Sequence, residues 1–90
     1  MDLNGADLTH ANLTGANLRS ANLIEANLFQ ADLTGANLRE ADLSNANLVR
    51  ANLTRADLRG ILIKGLNLNG ANLTQADLRG VHLYHYSWQG

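Results

Sequence analysis

Residues 11–20 read Ala11-Asn12-Leu13-Thr14-Gly15-Ala16-Asn17-Leu18-Arg19-Ser20, two copies of one five-residue unit. From Leu3 to Leu83 a Leu falls at every fifth position, with one conservative break at Ile63, so seventeen units cover residues 1–85. Each unit is a small apolar residue, Asn or Asp, Leu, and two variable positions. Ala stands two before the Leu from Ala6 to Ala56 without exception, and again at Ala71 and Ala76. Asn or Asp fills the place between them in fifteen of the seventeen units, with Leu62 and His82 the departures. An internal period of this kind constrains the architecture before any single element is assigned.

A helix does not accommodate it. At about 100° per residue, every fifth Leu advances roughly 140° and spirals around the axis, leaving no apolar stripe. A continuous strand fails as well, because five is odd and successive Leu side chains would alternate faces. Within one unit, however, Ala and Leu are two apart and share a face. The pattern therefore demands a very short extended piece followed by a corner, repeated along the chain. Thr14-Gly15, Thr34-Gly35, Arg59-Gly60 and Arg79-Gly80 supply turn chemistry at such corners.

Units such as Ala6-Asp-Leu-Thr-His, Ala16-Asn-Leu-Arg-Ser and Ala31-Asp-Leu-Thr-Gly closely resemble the ideal unit of the pentapeptide-repeat family, and the resemblance covers almost the whole chain. It implies an all-β fold, a right-handed quadrilateral parallel β-helix with four pentapeptides per coil. The Leu and the small residue would point inward and the other three positions outward. The implied core is Leu8, Leu13, Leu18, Leu23, Leu28, Leu33, Leu38, Leu43, Leu48, Leu53, Leu58, Ile63, Leu68, Leu73 and Leu78. A longer period supports four sides independently. Thr14, Thr34, Thr54 and Thr74 recur every twenty residues, as do Arg19, Arg39, Arg59 and Arg79. With twenty residues to a coil these become vertical columns on neighbouring sides, and the chain makes a little over four coils.

Ninety residues suit one domain, read as a repeat over 1–85 and an aromatic C-terminal segment over 86–90. A solenoid of this size buries its apolar surface between neighbouring coils, at about 1.5–3 kcal/mol per buried Leu. There is no Cys, which excludes disulfides and thiolate metal sites. The absence of Pro suits a ladder that needs every N–H. A net charge of −1, with both signs mixed along the chain, points neither to general nucleic-acid binding nor to a strongly acidic mimic. No long apolar run suggests a membrane span. The chain enters the repeat at Leu3, no signal peptide is expected, and the cytoplasm is the default location. The sequons at Asn12, Asn52 and Asn72 then read as by-products of the repeat.

Met1 and Leu3 already occupy inward positions, so the first coil is expected to be uncovered. A partner or second copy (a homodimer through that end), a longer parent chain, or a frayed first coil would each account for it. The alternating Asn and Asp are expected to hydrogen-bond along a stacked ladder. Between Gly60 and Leu68 the rhythm breaks: Ile61 and Leu66 replace the small inward residue and should widen that coil, and Leu62 should lie exposed. Tyr86 and Trp88 fall at inward positions that cannot hold large rings in an ordinary coil. With Tyr84 they read as a lid across the open end, dimerisation through the same rings being the competing view.

Of the surface groupings, the Arg column is the sharpest. Asp57, Asp77 and Glu40 are close enough in sequence to offset its self-repulsion. It reads either as a solvated, partly neutralised ladder or as a docking strip for an acidic partner or phosphates. Ile24, Phe29 and Val49 sit at outward positions and, with Leu62, are candidates for an apolar contact patch, a partner site and plain self-association weighing equally. His10, His82 and His85 do not make a metal-ligand set. No nucleophile, paired carboxylates or phosphate-cradling loop can be assembled, and a filled β-helix has no cavity for one. The sequence is thus read as a non-catalytic structural or protein-interaction module without cofactor or metal, whose partner is a protein. A DNA mimic that protects a type II topoisomerase, a role the resemblance brings with it, is disfavoured by the near-neutral charge and the Arg column. An ice-binding solenoid presenting the Thr column is a second alternative, though one Thr per coil is half of the usual array.

Overall fold

The computed structural model of the chain describes residues 1–83. Within them each unit repeats one local path. The residue before the Leu forms a single parallel bridge to the residue twenty places on, from Asp2–Asn22 through Asp57–Asp77. Only near the top does pairing lengthen into two-residue strands, β1 (Leu62–Ile63) and β2 (His82–Leu83), with Leu62 opposite His82. After the Leu the chain turns, and the N–H of the next small residue donates to the Leu carbonyl, as from Ala16 to Leu13 at 3.0 Å. Twenty residues thus make one coil with four bridges and four corners. Coils stack in register as a four-sided parallel β-helix. We number the sides from the N-terminus: residues 1–5, 6–10, 11–15 and 16–20 begin sides one to four, and each recurs every twenty residues.

The five backbone N–H groups of a regular unit can be followed one by one. The small residue's closes the turn. That of the Asn or Asp donates to the coil below (Asn37 to the Ala16 carbonyl, 2.9 Å), and that of the Leu to the coil above (Leu18 to Asn37, 2.7 Å). The second corner residue also donates upward, as Ser20 does to the Arg39 carbonyl at 2.8 Å. The first corner residue is left over. Its N–H donates to Oδ1 of the Asn or Asp two residues earlier, at 2.9 to 3.2 Å, in all fifteen units that have one. The expectation of an amide ladder is therefore corrected. Among the described residues one amide–amide bond joins coils, Asn47 Nδ2 to Asn27 Oδ1 at 3.3 Å; the general role of these side chains is local. Oδ1 is drawn to its own corner because a buried or crowded N–H without an acceptor is costly.

Among the described residues positive φ occurs at the second corner residue and nowhere else, as a type II turn requires. Seven of these corners are Gly, and nine are His10, Ser20, Glu25, Gln30, Glu40, Asn45, Arg50, Arg55 and Gln75, at φ 55° to 61°. Each L side chain held there costs about 1–2 kcal/mol. At eight of the nine, all but Gln75, a ladder bond donated by the same residue to the coil above helps to hold the conformation. At Gly65 a Cβ would also meet Asn45 Oδ1 of the coil below, a side-chain end that can turn aside, so the positive φ is what favours Gly there.

The core is an axial stack of Leu and Ala. Leu23, Leu28, Leu33, Leu38, Leu43 and Leu53 are wholly excluded from solvent, and Leu18, Leu48 and Leu58 nearly so. Leu8, Leu13, Ile63, Leu68 and Leu73 pack against them half-buried in the outer coils. Leu78, expected in the core, is 41% exposed. It stands on the last coil, and no described residues stack above it. At 60–66 the rhythm breaks structurally too. Ile61 is fully buried, the bonds from Leu62 to the Ala41 carbonyl and from Ile61 to Leu58 stretch to 3.4 and 3.3 Å, and that from Asn67 to Ala46 to 3.2 Å. Bulky inward side chains push this coil away from its neighbour. Leu62, expected to be exposed, is half-buried instead, tucked into the pairing with Asp42 and His82. The aromatic segment, Tyr84, Tyr86 and Trp88 with His85, lies outside the described residues.

Two outcomes follow. Asn52→Ala, which leaves the N–H and hydroxyl of Thr54 without their acceptor, should lower unfolding free energy by about 1–2 kcal/mol, while Asn52→Asp should change it by about 0.5 or less; urea unfolding decides. Gln30→Gly relieves a left-handed side chain and, after the extra chain entropy of Gly, should raise stability by about 0.5–1 kcal/mol. Gly35→Ala meets no atom within 4 Å and should lower it by a similar amount through backbone strain alone. If Gln30→Gly lowers stability and Gly35→Ala leaves it unchanged or raises it, the corners store no such strain.

Candidate interaction surface

The four arginines occupy the first corner position of side four, so successive guanidinium groups rise one coil at a time. Strand-like stacking sets that rise at about 4.7–4.9 Å. Two residues before each Arg stands the side chain that accepts its N–H: Asn17, Asn37, Asp57 and Asp77. Where that residue is an acid, the carboxylate already faces the corner and the guanidinium folds back onto it. Arg59 donates from Nε and Nη2 to the two oxygens of Asp57, at 2.8 and 2.6 Å. Arg79 grips Asp77 in the same way, at 2.9 and 2.6 Å. Arg59 Nε also lies 3.7 Å from Asp77 Oδ2, which ties the two pairs into an alternating chain.

These fork-shaped, charge-assisted bonds move proton affinities in the expected senses. The Arg79 hydrogen bond holds Asp77 down from 3.8 to about 2, helped by the backbone bond and by both nearby arginines. Asp57 is lowered chiefly by its bond to Arg59. Both arginines are raised by the same partners. The lower half of the side differs. Arg19 Nη2 is 3.6 Å from Glu40 Oε1, with both side chains more than half exposed. Arg39 has no ion pair among the described residues.

On side three, the hydroxyls of Thr34, Thr54 and Thr74 donate to Asp32, Asn52 and Asn72, so their protons are committed to the turn beneath them. Thr9 and Ser44 do likewise. Asp7 and Asp32 are lowered for that reason, the threonine hydroxyl being the largest cause. The Ile24, Phe29 and Val49 side chains are all half-buried. Phe29 lies above Thr9 and below Val49 in one column, and its ring meets His10 edge-on with centroids 5.8 Å apart. Leu62 does not join them: it sits two coils above Ile24, with Asp42 and Ser44 between.

Among the described residues no pocket opens and no cluster of His, Asp or Glu could hold a metal ion. No described helix is long and apolar enough to cross a membrane. The surface presents side chains at fixed spacing. The carboxylates that offset the Arg column were legible from spacing alone. The local role of Asn and Asp was not, although its signal, an acceptor two residues before every corner, was present throughout.

A family model described as pentapeptide repeats matches in eight copies, over residues 2–39, 21–60 and 63–85. Among solved structures, HetL, a pentapeptide repeat protein involved in heterocyst differentiation regulation in the cyanobacterium Nostoc sp. strain PCC 7120, is similar at TM-score 0.87 and 40% identity. That alignment covers 89% of this chain but 37% of HetL, so the chain spans little more than a third of it. A second pentapeptide repeat protein from Nostoc is similar at TM-score 0.84 and 45% identity, over 90% of this chain and 72% of that one. Rfr23 from Cyanothece 51142 is similar at TM-score 0.57 and 38% identity, over 90% and 59%. No curated protein matches.

The depressed carboxylates make the upper half of side four acid-sensitive. Each contributes stability that is fully present above the ordinary carboxylate value of 3.8 and is lost as pH falls through the folded value, about 2 for Asp77. The urea midpoint of the wild type should exceed that of Asp57→Asn/Asp77→Asn above about pH 4, and the difference should shrink toward pH 2. A difference that persists unchanged at pH 2 would assign it to something other than these ion pairs.

Proposed function

The chain belongs to the pentapeptide-repeat family, whose fold is the right-handed four-sided parallel β-helix, and from that premise we propose that it is a non-catalytic module that docks another protein on its outer side-chain columns. The observation that carries this reading is the filled interior. Leucines with no solvent exposure run up the axis, and among the described residues no pocket interrupts them. A substrate would have nowhere to be enclosed, and enclosure is what small-molecule chemistry requires. The outside, by contrast, is held by a backbone whose donors are almost all engaged. A backbone held in this way loses little conformational freedom when a partner arrives, which favours binding through preorganisation.

Side four is the strip we assign to that contact. It has the highest density of groups able to make charge-assisted bonds, four arginines against Asp57, Asp77 and Glu40. The same composition weighs against a topoisomerase-directed DNA mimic, which needs sides of one negative sign.

Two measurements test the reading. A protein captured on the immobilised chain should be lost when Arg19, Arg39, Arg59 and Arg79 are all changed to Ala, with the circular dichroism spectrum kept; a partner that stays bound would move the docking surface off side four. DNA gyrase supercoiling, with and without a quinolone, should be unaffected at micromolar protein, and an effect would replace this reading with the mimic.

A further inference from the structure

Side four is chemically two halves, and the difference is set by one position. In the upper half Asp57 and Asp77 stand two residues before Arg59 and Arg79, and each carboxylate takes two donors from its guanidinium. Those arginines are already paired in the geometry that a carboxylate ligand would need. In the lower half the same position holds Asn17 and Asn37. Their Oδ1 atoms accept the Arg19 and Arg39 backbone N–H groups just as the acids do above, but an amide carries no charge to hold the guanidinium. Arg19 has only Glu40, at 3.6 Å and well exposed. Arg39 has no ion pair among the described residues, and Asp57, whose charge it feels, is already gripped by Arg59.

We propose that Arg19 and Arg39, one coil apart and flanked by Asn17 and Asn37, form a two-rung site for a pair of carboxylates on a partner protein, from which Asp57 and Asp77 exclude Arg59 and Arg79. The proposal rests on the reading of side four as the docking strip and narrows it. Planar guanidinium forks suit carboxylates. The rung spacing of about 4.8 Å is that of acidic side chains on adjacent strands of a sheet.

The test exploits the fact that Asn and Asp serve the fold equally at this position. The probe is a hexaglutamate peptide, titrated at low ionic strength while the Arg Nε–H signals are followed by NMR. In the wild type the Arg19 and Arg39 signals should move and those of Arg59 and Arg79 should stay. Asn17→Asp/Asn37→Asp should weaken binding at least fivefold with the spectrum of the fold retained. Asn27→Asp/Asn67→Asp, which adds the same charge on the opposite side, should change it less than twofold. Asp57→Asn/Asp77→Asn should tighten it and recruit all four signals. Equal shifts at all four arginines in the wild type, or equal weakening by the two acidic pairs of substitutions, would overturn the two-rung assignment. If the quadruple Arg→Ala variant binds the peptide as well as the wild type does, the docking strip itself falls. Loss of binding there, with Asn17→Asp/Asn37→Asp unchanged, removes only the narrower claim.

Discussion

One N–H per unit, that of the first corner residue, has no partner in the coil above or below, and the fold depends on how it is satisfied. Ladder bonds take three of the five donors and the turn takes a fourth. The fifth is met by the chain's own side chain two residues back, from Asn4 to Asp2 at the bottom to Arg79 to Asp77 near the top. The side-chain oxygen fixes the direction of that N–H within the corner, and where the corner is part-buried, as at Thr54, a donor left without it would cost about 1–3 kcal/mol. In fifteen of the seventeen units an Asn or Asp that can meet this N–H stands just before the inward Leu.

The corner exacts its own cost at the next residue. Positive φ at every second corner position is a geometric consequence of turning through so few residues, and only Gly adopts it freely. Nine other residues are held there nonetheless. Stacking explains why this is tolerated: the strained residue donates to the coil above, and the same strain in neighbouring coils is part of one continuous ladder. The stretch at 60–66 shows the limit of that tolerance. Larger inward side chains at Ile61 and Leu66 lengthen two ladder bonds and a turn bond together, because coils share a common axis and cannot relax singly.

Much of this was legible before any coordinates. The Leu spacing gave the corner, and the Thr and Arg columns gave twenty residues per coil. The Asn and Asp roles were misread because a repeat invites explanation by stacking, whereas the decisive bond stays within the unit. Leu62 was misread for a related reason. An outward position does not by itself make a residue exposed, and Leu62, paired with Asp42 below and His82 above, is half-buried. The carboxylates near the Arg column were visible as neighbours in sequence. That they divide it into a paired half and an open half required the side-chain directions, since only then is it evident that an acid at the second unit position already faces the Arg at the fourth.

That division has a general basis. An amide oxygen and a carboxylate oxygen accept the corner N–H with equal geometry, as Asn37 with Arg39 and Asp57 with Arg59 do at 3.1 and 3.2 Å. The choice between them is therefore nearly silent for the fold. It is not silent for the surface, because it decides whether a basic side chain two residues on is neutralised at home or left for a partner. A frame that needs an oxygen at this position, but not a charge, leaves the charge free to vary from coil to coil. Binding character can then be written onto the outside of the β-helix without disturbing the leucine column that holds it together.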